Sequence, residues 1–263
     1  MAGDGTDEGP AEALVAEIRA AGGAAVASLD NVATPEGGKA IIDTALDAFG
    51  RIDILIHSAG NIRRGSLSSL AYEDFSAVLD VHLKGAYHGV REAFPSMMAQ
   101  GYGRIVLTGS INGLYGKADN VTYSLCKAAF MGLSNTAAIE GQHCNVRSNL
   151  IVPAAVTRMS EGIDTSRFPP MEPEMVAPMV AYLCHEQCEA SGEMYVAMGG
   201  RLARARVSEN AGVYMPEWSL EDVARRIGAI REGGAALAFP PVPDGQLDHL
   251  LHGFAMIRES AGT

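Results

Sequence analysis

Tyr123 and Lys127 stand four residues apart in the run Val121-Thr-Tyr-Ser-Leu-Cys-Lys127, and Ser110 lies thirteen residues before the tyrosine. On a helix, positions i and i+4 share a face, so the ammonium of Lys127 falls beside the phenol of Tyr123. A free phenol titrates near ~10, too high for a base at neutral pH, and a nearby cation lowers that value. The pattern predicts a depressed tyrosine pKa and a proton-transfer site. Tyrosinate removes a hydroxyl proton, or tyrosine returns one to a carbonyl. Ser110 closes the strand-like run Arg104-Ile-Val-Leu-Thr-Gly-Ser110, which aims its hydroxyl into the same space to hold the substrate oxygen. Tyr-x-x-x-Lys alone is a common chance spacing. The strand-borne serine and the small-residue helix after it give the spacing meaning.

Hydrophobic periodicity shows the elements that must position these groups. Apolar residues at helical spacing predict helices over 10–22, 35–49, 72–100, 121–141, 173–185, 220–232 and 246–259. Short apolar runs predict strands at 24–29, 53–57, 104–109, 145–152 and 193–197, with Pro153 breaking the fourth. Strands that alternate with helices and read as continuous apolar runs form a parallel sheet covered on both faces, so the fold class is α/β, Rossmann-like and doubly wound. Ligands of such sheets lie beyond the carboxyl ends of the strands. Asp30/Asn31, Ser58-Ala59-Gly60, Ser110, Pro153 and Gly199-Gly200 fall at those ends. After about residue 200 the pattern changes: Ser219-Leu-Glu-Asp222 caps a helix, and 233–245 is rich in Gly and Pro. The chain divides into a Rossmann-like domain over 1–205 and a helical extension over 206–263.

Composition narrows the functional classes. The 263 residues are 48% hydrophobic, enough for one α/β core with an appendage. A net charge of −11 argues against a nucleic-acid footprint, which needs a basic face. No run of ~18 apolar residues is present to span a membrane. Met1-Ala-Gly-Asp-Gly-Thr-Asp-Glu8 is acidic and polar, unlike a secretory signal. The four cysteines show no disulfide framework, which predicts a reduced, cytoplasmic protein. Cys184 and Cys188 share a helix face, but no further ligands stand near them in sequence, so core packing is expected over a metal site.

The Ser110, Tyr123 and Lys127 pattern resembles that of the short-chain dehydrogenase/reductase family. The likeness covers nearly all of 10–215. Within the family it is greatest to the dehydrogenase domains of peroxisomal multifunctional enzymes. The runs Thr44-Ala-Leu-Asp-Ala-Phe-Gly-Arg-Ile-Asp53, Asp80-Val-His-Leu-Lys-Gly85, Tyr102-Gly-Arg-Ile105, Ala138-Ile-Glu-Gly141 and Leu183-Cys-His-Glu186 carry it. The resemblance implies that Ser110, Tyr123 and Lys127 are catalytic, with Lys127 also holding a nicotinamide ribose. It implies a relay role for His82, where many members carry Asn. Asn31 and Val32 would flank the adenine. His57-Ser58-Ala59-Gly60 stands where the family has Asn-Asn-Ala-Gly, and Pro153 opens the loop that carries the nicotinamide amide.

The implied cofactor is NAD or NADP. The implied substrate is a small secondary alcohol or ketone, a 3-hydroxyacyl-CoA-like thioester or a sterol, and the implied assembly is a homodimer or homotetramer. Met159, Met171, Met175 and Met179 could line a pocket lid, although helix packing suits Met175 and Met179 better. Arg201, Arg204 and Arg206 could meet a CoA phosphate, although a solvated strand suits them better. The family's opening strand, glycine-rich turn and helix have no counterpart here. Gly3-Asp-Gly-Thr-Asp-Glu-Gly9 has glycines, but no strand precedes them and three acids lie among them. A weakened hold on the dinucleotide is therefore expected, together with a strand 24–29 that lacks neighbours. Two other readings follow: a non-catalytic relative acting by association, and a nucleotide-sugar epimerase.

Overall fold

Four apolar runs become the parallel strands β1 (Ile54–His57), β2 (Gly103–Thr108), β3 (Val146–Ala154) and β4 (Met194–Met198). The computed structural model describes residues 9–160, 164, 166 and 168–261; the Gly3–Glu8 part of the acidic N-terminal stretch lies outside them. A fifth strand, β5 (Arg201–Ala205), completes the order β1-β2-β3-β4-β5. Gly199 and Gly200 link it to β4 with φ of 52° and 80°, a left-handed pair that glycine adopts freely. The sheet and its covering helices are the expected α/β, Rossmann-like arrangement.

The chain forms two units, Met1–Arg204 and Ala205–Thr263. In the first, the helices are α1 (Gly9–Ala20), α2 (Pro35–Phe49), α3 (Tyr72–Leu79), α4 (Gly85–Gln100), α5 (Ile111–Tyr115), α6 (Val121–Gly141) and α7 (Ala177–Cys184). Helix α2 starts at Thr34, whose side chain accepts the Gly37 amide, and Pro35 sits in its first turn. The long helix expected over 72–100 is continuous but not regular. Between α3 and α4, Asp80–Lys84 widen into one π turn. In the second unit, α8 (Leu220–Glu232) carries the capping box that Ser219 and Asp222 predict, and α9 (Gly245–Ala261) follows.

Two expectations fail. Residues 24–29 form no ladder. Val26 and Leu29 are 43% and 45% exposed, and on β1, which ends the sheet, Ile54 and Ile56 are 45% and 47% exposed. A strand persists only where a neighbouring strand takes its backbone N–H and C=O groups, and among the described residues none pairs with 24–29; the Ala25 carbonyl accepts from the Arg19 side chain at 2.7 Å instead. Pro153 does not break β3 but lies within it, paired with Ala197. A parallel ladder that is ending tolerates the missing donor.

The core on one sheet face joins Val106, Ile151, Met179, Leu183 and Ala197 with Cys184 and Cys188. The two cysteines are thus packed as small hydrophobes. Arg104 is fully buried and stacks 4.3 Å over Tyr102. It donates to the carbonyls of Gly103 (2.8 Å) and Asn145 (2.9 Å), so its polar head is satisfied by backbone.

Helix α5 packs on α6 at Gly113. A methyl group there would stand 2.6 Å from the Lys127 carbonyl carbon and 2.8 Å from the Ala128 nitrogen. Backbone cannot yield as a side chain can, so Gly113→Ala is expected to destabilise the protein by about 1–3 kcal/mol. Urea unfolding measures this; an unshifted midpoint would show that the two helices are not in close contact.

Candidate active site

Strand β2 ends at Thr108, and the chain then turns into α5 with Ser110 as its N-cap, where the Ser110 Oγ accepts the Asn112 amide at 3.1 Å. Helix α6 brings Tyr123 and Lys127 against that strand end. Ser110 and Tyr123 line the same cavity, and the Ser110 hydroxyl favours the ionised phenol. Lys127 is 5% exposed, and its Nζ donates to the Thr108 carbonyl at 2.6 Å. The ammonium also lies 4.6 Å from the centre of the Phe130 ring and 5.6 Å from that of Tyr123, a cation over aromatic faces. Its burial pushes the Lys127 pKa down to about 8.

The tyrosine behaves differently from the expectation. Its pKa is raised, because burial of the phenol outweighs the lowering influence of the Ser110 hydroxyl. The lysine charge is directed at the Thr108 carbonyl and the rings rather than at the phenol oxygen. In this state Tyr123 is an acid at neutral pH.

Ser110, Tyr123 and Lys127 face one cavity of about 480 Å³, which Ser58, Gly60, His82, Thr108 and Pro153 also line. Ser58 is held by its hydroxyl, 2.9 Å from that of Thr108. Gly60 lies where a methyl group would stand 2.5 Å from the His82 ring, so the glycine admits the imidazole. Ala59 does not line the cavity, nor do Asn31 and Val32. The side chain of Asn31 accepts the Ala33 amide at 3.0 Å, and Val32 packs close to Gly85. None of Arg201, Arg204 and Arg206 lines the cavity, and Arg204 pairs with Glu193 at 2.9 Å. Met159 lines it, whereas Met179 belongs to the core.

His82 sits in the π turn. Its Nε2 lies 2.8 Å from the Asn61 carbonyl and 3.1 Å from the Asn61 amide, and its ring meets Tyr123 edge-on at 5.3 Å. His57, at the end of β1, stands edge-on to Phe130 at 5.8 Å. The sequence reading gives Thr108 no role, and marks His57 only as the first residue of the stretch that replaces the family's Asn-Asn-Ala-Gly. A hydroxyl two residues before Ser110 on the same strand was the available signal for Thr108. The signal for His57 was a polar residue at the end of an apolar strand.

The nicotinamide-ribose end of a dinucleotide fits the residues present: a buried ammonium and two hydroxyls face an open cavity beside Gly60 and Pro153. The described residues supply no glycine-rich turn for its pyrophosphate.

The short chain dehydrogenase family profile matches residues 4–167. The chain belongs to the short-chain dehydrogenase/reductase family. A short-chain type dehydrogenase/reductase of Mycobacterium tuberculosis is 42% identical over 244 residues, covering 89% of this chain and 84% of the relative. The type 2 peroxisomal multifunctional enzyme of Drosophila melanogaster is 43% identical over 221 residues, covering 84% of this chain but 36% of that enzyme. The full-length structure of the Drosophila enzyme superposes with a TM-score of 0.78 at 31% identity, covering 95% of this chain and 44% of the other. The chain thus spans less than half the length of that multifunctional enzyme. Membership makes it an NAD(P)-dependent oxidoreductase, which favours that reading over the epimerase and the non-catalytic relative. Among the described residues no helix is long and apolar enough to cross a membrane.

Burial pushes the pKa of both His57 and His82 down to about 4, and the charge of Lys127 adds to it. Unfolded histidine titrates near ~6.5. Between these values the unfolded chain binds protons that the folded one refuses, so stability falls as pH drops from about 6.5 to about 4. Urea unfolding at pH 7 and pH 5 should show this fall, and His57→Phe should shrink it. An equal pH dependence in the variant would exclude His57 as a source.

Proposed function

We propose that this enzyme interconverts a secondary alcohol and a ketone on a 3-hydroxyacyl thioester, with Tyr123 as the general acid/base. The convergence of the Ser110 and Tyr123 side chains on one cavity beside the buried Lys127 carries this reading. Two hydroxyls that meet at one cavity can both bond a single substrate oxygen, Ser110 holding it while Tyr123 gives or takes its proton. The nicotinamide supplies or accepts the hydride when bound. Lys127 and Tyr123 would hold its ribose, and Ser58, Gly60 and Pro153 its nicotinamide end. His82, touching Tyr123 from the π turn, is proposed to pass protons onward. Its Nδ1 is buried with no hydrogen-bond partner among the described residues.

The thioester class is favoured because relatives include a 3-oxoacyl-[acyl-carrier-protein] reductase of Synechocystis, 34% identical, and an acetoacetyl-CoA reductase of Acinetobacter, 31% identical. Four free cysteines, three of them buried, suit a reducing compartment, and the proposed location is the cytoplasm.

Tyr123→Phe should lower turnover of acetoacetyl-CoA by about 10²–10⁴-fold while NADH binding, followed by fluorescence, persists. Undiminished turnover would refute the assigned acid. No NADH response up to millimolar in a folded protein would refute cofactor-dependent catalysis.

The raised Tyr123 pKa also sets a direction. The phenol is protonated at neutral pH, so reduction should vary little between pH 6 and 8, whereas oxidation of 3-hydroxybutyryl-CoA should accelerate as pH rises. Paired pH profiles measure both, and an oxidation rate that declines over the same range would contradict the assignment.

A further inference from the structure

The mouth of the catalytic cavity carries charge that the chemistry does not use. The chain as a whole has a net charge of −11, yet Arg64 and Lys117 line this cavity, opposed there among the described residues by one carboxylate, Asp119. All three side chains are exposed. Neither cation has an ion-pair partner among the described residues. The neighbouring Arg63, in contrast, is engaged with Asp74 at 3.3 Å.

Two loops are tied together to make this mouth. The Gly65 amide donates to the Asp119 carbonyl at 3.1 Å, and Gly65 pairs with Asn120 in a parallel bridge. Asn120 is buried, and its side chain donates to the Ala118 carbonyl at 3.0 Å. Asp119 adopts φ of 59°, a left-handed conformation uncommon for a residue other than glycine. Arg64 directly precedes the tied Gly65 and Lys117 lies two residues before Asp119, so backbone pairing brings both cations to one rim.

We infer that Arg64 and Lys117 bind a phosphate group on the substrate, and that Asp119 opposes it. A guanidinium fork and a mobile ammonium from opposite loops suit a multiply charged oxyanion. The thiol carrier of an acyl thioester bears such a group at a distance from the reacting carbon. The inference rests on the thioester reading above and adds that the enzyme selects for the phosphorylated carrier. Because the phosphate is unchanged in the reaction, the contact binds substrate and transition state alike and acts on KM rather than kcat.

The test uses CoA itself, which cannot react, with phosphate-free pantetheine as control. Calorimetric titration should show CoA binding that weakens with salt. Exposed ion pairs are individually modest, so Arg64→Ala with Lys117→Ala should weaken CoA binding about five- to tenfold, and Asp119→Asn should tighten it about two- to fivefold. The preference in kcat/KM for acetoacetyl-CoA over acetoacetyl-N-acetylcysteamine should fall in the double variant by the same factor as CoA affinity. CoA affinity indifferent to these substitutions, equal binding of pantetheine, or no CoA binding to the wild type at millimolar would each overturn the inference. If CoA binding follows the charges but acetoacetyl-CoA is not turned over, the inference stands and the thioester reaction is what fails.

Discussion

A positive charge held almost out of water organises this structure. An unpaired buried ammonium is costly, so a protein that keeps one must surround it with acceptors. Lys127 donates to the Thr108 carbonyl at 2.6 Å and lies over the faces of Phe130 and Tyr123. The carbonyl is available because β2 stops there, and its position is firm because β2 lies between β1 and β3. The Thr108 hydroxyl reaches Ser58, so one residue links the lysine, the end of β1 and the strand that leads to Ser110. The three groups of the site are thereby placed by one strand end and one helix, and loop conformation contributes little.

What the sequence made legible follows from what is local. The Ser110–Tyr123–Lys127 spacing, the capping box at Ser219 and Asp222, and the boundaries of α2 and α6 depend on residues a few positions apart. They could be read because capping and i,i+4 geometry act at that range. Residues 24–29 misled because a strand is a property of pairs, and apolar composition does not reveal whether a neighbour exists. The direction of the Tyr123 shift was missed for a related reason. Spacing places Lys127 near the phenol, but only tertiary structure shows that a carbonyl from β2 takes the charge while burial acts on the tyrosine. The contacts of Thr108 with Ser58 and Lys127, and of His57 with Phe130 on α6, join distant segments, which no local pattern reveals.

The cavity is uneven along its length. At the reacting end, hydroxyls, imidazole and ammonium are held by backbone groups, and several carry pKa values moved by burial. Perturbed groups gathered in one cleft are the usual mark of chemistry. At the mouth the charged side chains are exposed and lie on loops, where sequence varies most freely. The family supplies the first end. The second is where members sharing one reaction can differ in what they accept, and it is the part of the site that fold likeness leaves undetermined.

The π turn at Asp80–Lys84 has a consequence for the whole long helix. Inserting one residue into a helical turn advances everything beyond it by about 100°. The half before the turn can therefore lie against α6 while the half after it presents Gly85 to Val32 and His88 to Gly38. The extra residue acts as a phase shifter. It allows a single rod to serve two neighbours whose directions a regular helix could not both satisfy, and it leaves His82 at the point of adjustment, facing the tyrosine. Deleting one residue there would restore a perfect helix and set its two halves out of step with the rest of the molecule.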